Sequence, residues 1–208
     1  MKPDETAAAY PVPSPLLIVI SGMSGAGKDS VLNELKKSPL PLEFIVTMTT
    51  RQPRSGEHNG VDYTFVTMET FRELISRDQL LEWANVYGNY YGPPRAAVRD
   101  ALNAGKDAIL RVDVQGVRTI KKAAPECVAI FLAAPSMAEL ERRLRSRGTE
   151  SDEQLELRLK TAEEELTQLP LFDYMVFNRE GELERAVAEI EAIITAEKRR
   201  VKPRKVIL

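Results

Sequence analysis

Gly22-Met23-Ser24-Gly25-Ala26-Gly27-Lys28 is the stretch where residue type and spacing point most directly to chemistry. Glycines at this spacing let backbone N–H groups turn inward around a phosphate that side chains would otherwise crowd. A lysine closing the loop can reach the outer phosphates of a nucleotide, and a helix starting there adds its positive dipole end. Asp29 and Ser30 come next. In the common phosphate-loop pattern the residue after the lysine is Ser or Thr, whose hydroxyl ligates Mg²⁺. Asp29 at that position has two readings. Its carboxylate is a hard ligand suited to Mg²⁺, or its charge serves the helix N-terminus.

A second set of chemical groups follows in Thr50-Arg51-Gln52-Pro53-Arg54-Ser55-Gly56-Glu57. Arg51 and Arg54 are three apart in a loop stiffened by Pro53, and guanidinium forks offer paired in-plane donors to a phosphate. By itself such a loop reads as solvated charge. His58, the single histidine, lies in the same loop and reads as solvated.

The elements that must position these groups are legible around them. Leu16 to Ile20 is an unbroken aliphatic run too short for a helix, and it predicts a strand buried on both faces. The Val31-Leu32-x-x-Leu35 pattern predicts a helix immediately after the loop. Strand, glycine loop and helix in that order are the context a phosphate loop requires.

The bulk numbers set limits. A chain of 208 residues supports one sizeable core with room for a small insertion. A net charge of −2 gives no whole-protein electrostatic case for nucleic-acid binding. No apolar run approaches membrane-spanning length, and none forms a signal-peptide core. The lone Cys127 sits in CVAIFL and reads as a core residue. These features suit the cytoplasm.

Along the chain, residues 1–15 hold four prolines and predict a disordered tail. Strands are expected at Phe44–Thr49, Asp62–Val66, Leu80–Val86, Tyr90–Tyr91, Asp107–Val112, Cys127–Leu132 and Asp173–Phe177. Thr67 should cap a helix with Met68, Phe71, Leu74 and Ile75 on one face. Pro94 should open a helix that closes at Gly105. Further helices are expected at Gln115–Ala123, from Ser136, from Ser151 to Leu169, and over Leu183–Arg200. Ser136/Glu139 and Ser151/Gln154 read as capping boxes. The last residues form a basic tail, read as solvated. Strands alternating with helices imply a mostly parallel sheet covered on both faces. The stretch 48–92 breaks that alternation and reads as an inserted lobe.

The run TTRQPRSGEHNGVDYTFV followed by LLEWANVYGNYYG resembles the nucleoside-monophosphate lobe of guanylate kinases. The resemblance extends from Leu16 to about Arg200 and includes LRVDVQG, APS and RLRSRGTESDEQLELRL. It implies an α/β P-loop NTPase three-layer sandwich with an inserted GMP-binding lobe (48–92) and a helical lid (143–170). The core would be 16–47, 93–142 and 171–200. The implied reaction is transfer of the ATP γ-phosphoryl group to GMP, with Mg²⁺ and with no nucleic-acid or membrane partner.

Site residues follow from the same resemblance. Gly22 through Ser30 would hold ATP, with Asn178 near the adenine. Arg51, Arg54, Tyr63 and Tyr91 would hold the GMP phosphate. Glu82 and Thr47 would read guanine, with Asp113 close by. Lys28 and Arg51, with the lid arginines Arg143, Arg147 and Arg158, would carry the chemistry. A carboxylate such as Glu82 accepts from both N1–H and the 2-amino group of guanine. Adenine offers neither, which can give discrimination of roughly 10⁴-fold. No general base is required, because the acceptor is already an anionic oxygen.

The chain departs from the family pattern at Asp29, at Met48, at Pro93 and at Arg111, which stands where an Asp is common. Two rival readings use different features. Ribose 1,5-bisphosphate kinases also carry Gly-Lys-Asp-Ser, but the intact set of Arg51, Arg54, Tyr63, Glu82 and Tyr91 separates this chain from them. Non-catalytic guanylate-kinase-like interaction modules have degraded phosphate loops, whereas Gly22, Gly25, Gly27 and Lys28 persist here.

Overall fold

The computed structural model describes residues 13–86, 88–146 and 151–208. Most of the expected N-terminal tail, and Arg147, lie outside the described residues. Strand β1 (Leu17–Gly22) is buried along its whole length. Its side chains alternate between two cores, with Ile18 and Ile20 in one and Leu17 and Val19 in the other. That two-faced burial is why the run is uniformly aliphatic rather than alternating.

Parallel neighbours flank it: β7 (Asp107–Arg111) on one side and β8 (Val128–Ala133) on the other. The edges are β2 (Leu42–Phe44) and β9 (Tyr174–Phe177), giving the order β2-β7-β1-β8-β9. One face carries α1 (Lys28–Leu35), α5 (Met137–Ser146), α6 (Asp152–Leu166) and α7 (Leu183–Lys198). The other carries α3 (Arg95–Asn103) and α4 (Val114–Ala123). The result is a three-layer sandwich whose strands all end at the same edge, where ligands of such sheets bind.

A second sheet is built within 48–92, in the order β4-β3-β6-β5. Its strands are β3 (Met48–Thr49), β4 (Thr64–Phe65), β5 (Ala84–Val86) and β6 (Asn89–Gly92). Helix α2 (Met68–Ser76) lies between β4 and β5 in the chain. The Thr67 hydroxyl accepts from Thr70 N–H at 3.1 Å to cap it, and Phe71 is its buried anchor.

Several expected boundaries change. Phe44–Thr49 is not one strand: pairing with β7 stops at Phe44, and pairing in the second sheet starts at Met48. The run reads as one β-prone stretch because the chain stays extended as it crosses from one sheet to the other there. Leu80–Val86 pairs as a strand only from Ala84. Leu80 and Leu81 are buried and bonded to the Pro93–Pro94 segment instead. The Ser151/Gln154 box forms in both directions. At Ser136 only the hydroxyl half is seen, accepting from Glu139 N–H at 3.2 Å, while the Glu139 carboxylate pairs with Arg143.

The basic tail is not simply solvated. Arg204 donates to buried Glu197 at 2.8 and 3.0 Å, and Tyr174 donates to the same carboxylate at 2.7 Å. Val206 and Leu208 pack on the α3/α4 core. Arg204 holds the Glu197 carboxyl down to about 2, from an ordinary 4.5. Replacing Arg204 with Ala strands that charge, so chemical denaturation at neutral pH should show a loss of about 3 kcal/mol. A depressed carboxylate stabilises above its unfolded pKa. The advantage of wild type over Arg204→Ala should therefore be complete above about pH 5 and vanish as pH falls toward 2. Equal stabilities at pH 7 would rule out this clasp.

Candidate active site

The phosphate loop joins the end of β1 to α1. Gly22, Gly25 and Gly27 have φ of 139°, 91° and 83°, which L side chains rarely adopt. A Cβ on Gly22 would also lie 2.0 Å from Leu132 O. Met23 and Ala26 are buried and anchor the loop to the core. Lys28 Nζ donates to Gly22 O at 2.6 Å and to Met23 O at 3.0 Å. Burial pushes its ammonium below the usual lysine value. Asn178, expected near an adenine, supports the loop from beneath, donating to Ala26 O at 2.8 Å. A Cβ on Gly27 would meet that amide nitrogen at 2.6 Å.

A cleft of about 770 Å³ runs from this loop to the second sheet. From the loop side it is lined by Ser24, Gly25, Gly27, Lys28, Asp29 and Ser30. Thr47, Arg51, Arg54, Tyr63, Tyr91 and Glu82 line its far side, with Asp113 and Arg158 on its walls. Arg143 is turned aside, pairing with Glu139 and donating to Asn178 O at 2.8 Å.

The far side is an organised cationic pocket. Arg51 grips Glu57 with both ends of its fork, at 3.0 and 2.9 Å, and lies 5.3 Å over the Tyr63 ring. Tyr63 and Tyr91 meet edge-on at 5.9 Å. Glu57 also accepts from Arg54 N–H at 2.7 Å, so one carboxylate sets the whole turn. The Arg51 guanidinium holds it below the usual carboxylate range. Glu57 is not among the site residues expected from the sequence, although its spacing after Arg51 and Arg54 is a usable signal.

Glu82 is 7% exposed. Burial, and secondarily the charge of Asp113, push its carboxyl up to about 7. Room for it comes from α4, since a Cβ on Gly116 would lie 3.1 Å from Glu82 Cδ. Asp113 caps that helix, accepting from Gly116 N–H at 2.7 Å.

Two further contacts had no local signature. Glu165 on α6 accepts from Ser24 N–H at 2.8 Å, across 141 positions of sequence. Arg111, at the end of β7, pairs with Asp29 and donates to the Tyr63 hydroxyl at 2.9 Å. Among the described residues no group of three His, Cys, Asp or Glu could hold a metal. Asp29, Asp113 and Glu165 are engaged by Arg111, by Gly116 N–H and by Ser24 N–H. Such a donor set fits an Mg²⁺ that stays on nucleotide phosphates and keeps most of its waters.

Fold and cleft together define a phosphate-loop nucleotide-binding protein with a second, arginine- and tyrosine-lined anion pocket facing the loop. Comparisons agree on which. Residues 14–197 match the guanylate kinase family. The guanylate kinase of Carboxydothermus hydrogenoformans is 44% identical over 191 residues, covering 92% of each chain. That of Desulfitobacterium hafniense is 48% identical over 187 residues, covering 90% of this chain and 92% of its own. The crystal structure of guanylate kinase from Anaplasma phagocytophilum superposes with a TM-score of 0.72 at 32% identity, covering 91% of this chain and 89% of that one. The chain belongs to the guanylate kinase family. No helix among the described residues is long and apolar enough to cross a membrane.

The Glu82 environment makes a direct prediction for the ligand-free protein. Carboxyl-carbon NMR should find a glutamate titrating near pH 7. Asp113→Asn, which keeps a capping oxygen but removes the charge, should lower that midpoint. A Glu82 midpoint near 4.5 would contradict the desolvated pocket.

Proposed function

We propose that this protein transfers the γ-phosphoryl group of ATP to GMP, and to dGMP, yielding ADP and GDP in the recycling of GMP in the cytoplasm. The observation that carries the reading is a single cleft joining a phosphate loop to the buried Glu82 and the Arg51–Tyr63–Tyr91 pocket. ATP would lie with its phosphates on the loop backbone and Lys28. Arg51, Arg54, Tyr63 and Tyr91 would hold the phosphate of GMP, while Glu82 takes the N1–H and 2-amino donors of guanine and Thr47 adds an oxygen beside them. Mg²⁺ on the ATP phosphates would neutralise charge between the β and γ groups.

The chain's contribution is then positioning and cationic stabilisation. The loop fixes the donor, the second sheet fixes the acceptor oxygen, and closure excludes water. Helices α5 and α6 form the lid, with Arg158 already on the cleft wall. A coupled assay offering GMP, dGMP, AMP, UMP and ribose 1,5-bisphosphate with MgATP tests the reading. Turnover should be confined to the guanine nucleotides, and preference for any other acceptor would overturn it.

Glu82 gives the pH dependence. The ionised carboxylate is the form that accepts from guanine, and burial raises its pKa to about 7. For the free enzyme, kcat/KM for GMP should therefore rise with pH through about 7 and level off above it. Glu82→Gln should lose on the order of 10²-fold in kcat/KM for GMP and lose that step, with ATP affinity little changed. Normal GMP kinetics in that variant would remove Glu82 from the base site.

Closure has its own readout. GMP together with a non-hydrolysable ATP analogue should protect the segment 143–170 from limited proteolysis, each ligand favouring the closed state. Cleavage there at the same rate with and without ligands would argue against a moving lid.

A further inference from the structure

Arg111 sits where the two halves of the cleft meet. Its strand, β7, runs parallel beside β1, and Arg111 is in register with Ile20, two residues before the phosphate loop begins at Gly22. One end of its guanidinium pairs with Asp29, which follows Lys28 at the start of α1. The other donates to the Tyr63 hydroxyl at 2.9 Å, in the acceptor pocket. Arg111 itself lines the cleft. Arg111 is thereby tied both to the loop helix and to an acceptor-pocket tyrosine.

We propose that Arg111 is a further catalytic residue, a cation carried at the end of a central strand that contacts the phosphoryl group as it passes between the nucleotides, with Asp29 and Tyr63 as its two anchors. The proposal rests on the phosphotransfer reading above. A guanidinium carries five N–H donors, and the two anchors use two of them. The planar group thus stays aimed across the cleft with donors left for phosphoryl oxygens. The pairing also answers the problem set by Asp29. A bare carboxylate next to Lys28 would repel a polyphosphate, whereas one paired with Arg111 does not. As a surface ion pair alone it would contribute little.

In the step itself, a GMP phosphate oxygen forms a bond to Pγ while the bond from Pγ to the β,γ-bridging oxygen breaks. The bonding electron pair leaves on ADP. ATP⁴⁻ and GMP²⁻ give ADP³⁻ and GDP³⁻, so charge balances and no proton must move. What changes is the position of charge along the line between loop and acceptor pocket. A fixed cation on that line stabilises the transition state more than either ground state.

The experiment compares steady-state kinetics of wild type, Arg111→Ala, Arg111→Lys and Asp29→Ala, each checked for folding by its thermal transition. Arg111→Ala should lower kcat on the order of 10²-fold, with KM for ATP and GMP within about threefold. Arg111→Lys should recover part of the loss. Added guanidinium at tens of millimolar, but not equal ionic strength of sodium chloride, should restore part of the Arg111→Ala rate. Asp29→Ala should lower kcat less than Arg111→Ala and leave the Mg²⁺ titration in place. A kcat for a folded Arg111→Ala within about twofold of wild type, or a loss confined to KM, overturns the assignment while leaving GMP phosphorylation standing. So does an upward shift of the Mg²⁺ titration in Asp29→Ala, because Asp29 would then be a metal ligand. A wild type inactive on GMP overturns the parent reading and this assignment with it.

Discussion

A loop with three positive-φ glycines has no conformation of its own to fall into, so something must hold it. Lys28 folds back onto the carbonyls of Gly22 and Met23, Asn178 takes Ala26 O from below, and Glu165 takes Ser24 N–H from helix α6. Each contact comes from a different element: α1, the turn after β9, and α6. The fold's layers converge on this turn because β1 is sandwiched between two cores and can deliver its loop only at the carboxyl edge of the sheet. That edge fixes where everything else in the cleft must stand.

Charge is the second constraint. A cleft meant for two polyanions concentrates cations, and unpartnered cations repel one another. This chain meets the problem with carboxylates drawn from its own surroundings: Glu57 on Arg51, Asp29 on Arg111, Glu139 on Arg143 and Glu165 near Lys28. The three arginine pairs keep the guanidinium planes oriented, so less rotamer freedom is lost when a phosphate arrives.

Much of this was legible in the sequence, and the reasons differ by element. The phosphate loop is written locally, because backbone turning and helix capping are set by neighbours in the chain. The helices were legible from periodicity and caps, as at Thr67 and Ser151. The break inside 44–49 is not, since a run of β-branched and apolar residues looks the same whether it serves one sheet or two. The tail was read as solvated because a basic run carries no mark of the buried Glu197 waiting for Arg204. Within the site, every acceptor-pocket residue expected from the family resemblance lines the cleft. Glu165 could not have been found, because nothing near position 24 points to a carboxylate 141 residues away. Asn178 was recognised as a site residue, yet its amide faces the loop backbone.

Glu82 shows why such a site is specific rather than merely sticky. Raising a carboxyl from 4.5 to about 7 corresponds to a penalty of about 3 kcal/mol on its ionised form relative to an ordinary solvated carboxyl. The burial that causes it is shared between the wall of the cleft and the bare backbone at Gly116, and Asp113 adds a like charge that its capping role keeps in place. Left alone, the group therefore resists the ionised state in which it best accepts hydrogen bonds. In the proposed complex, guanine, with two donors aligned toward Glu82, would offset that penalty. A base without those donors leaves the desolvation uncompensated. On the proposed reading, discrimination would come less from the strength of the bonds Glu82 makes than from the penalty its surroundings impose when those bonds are missing.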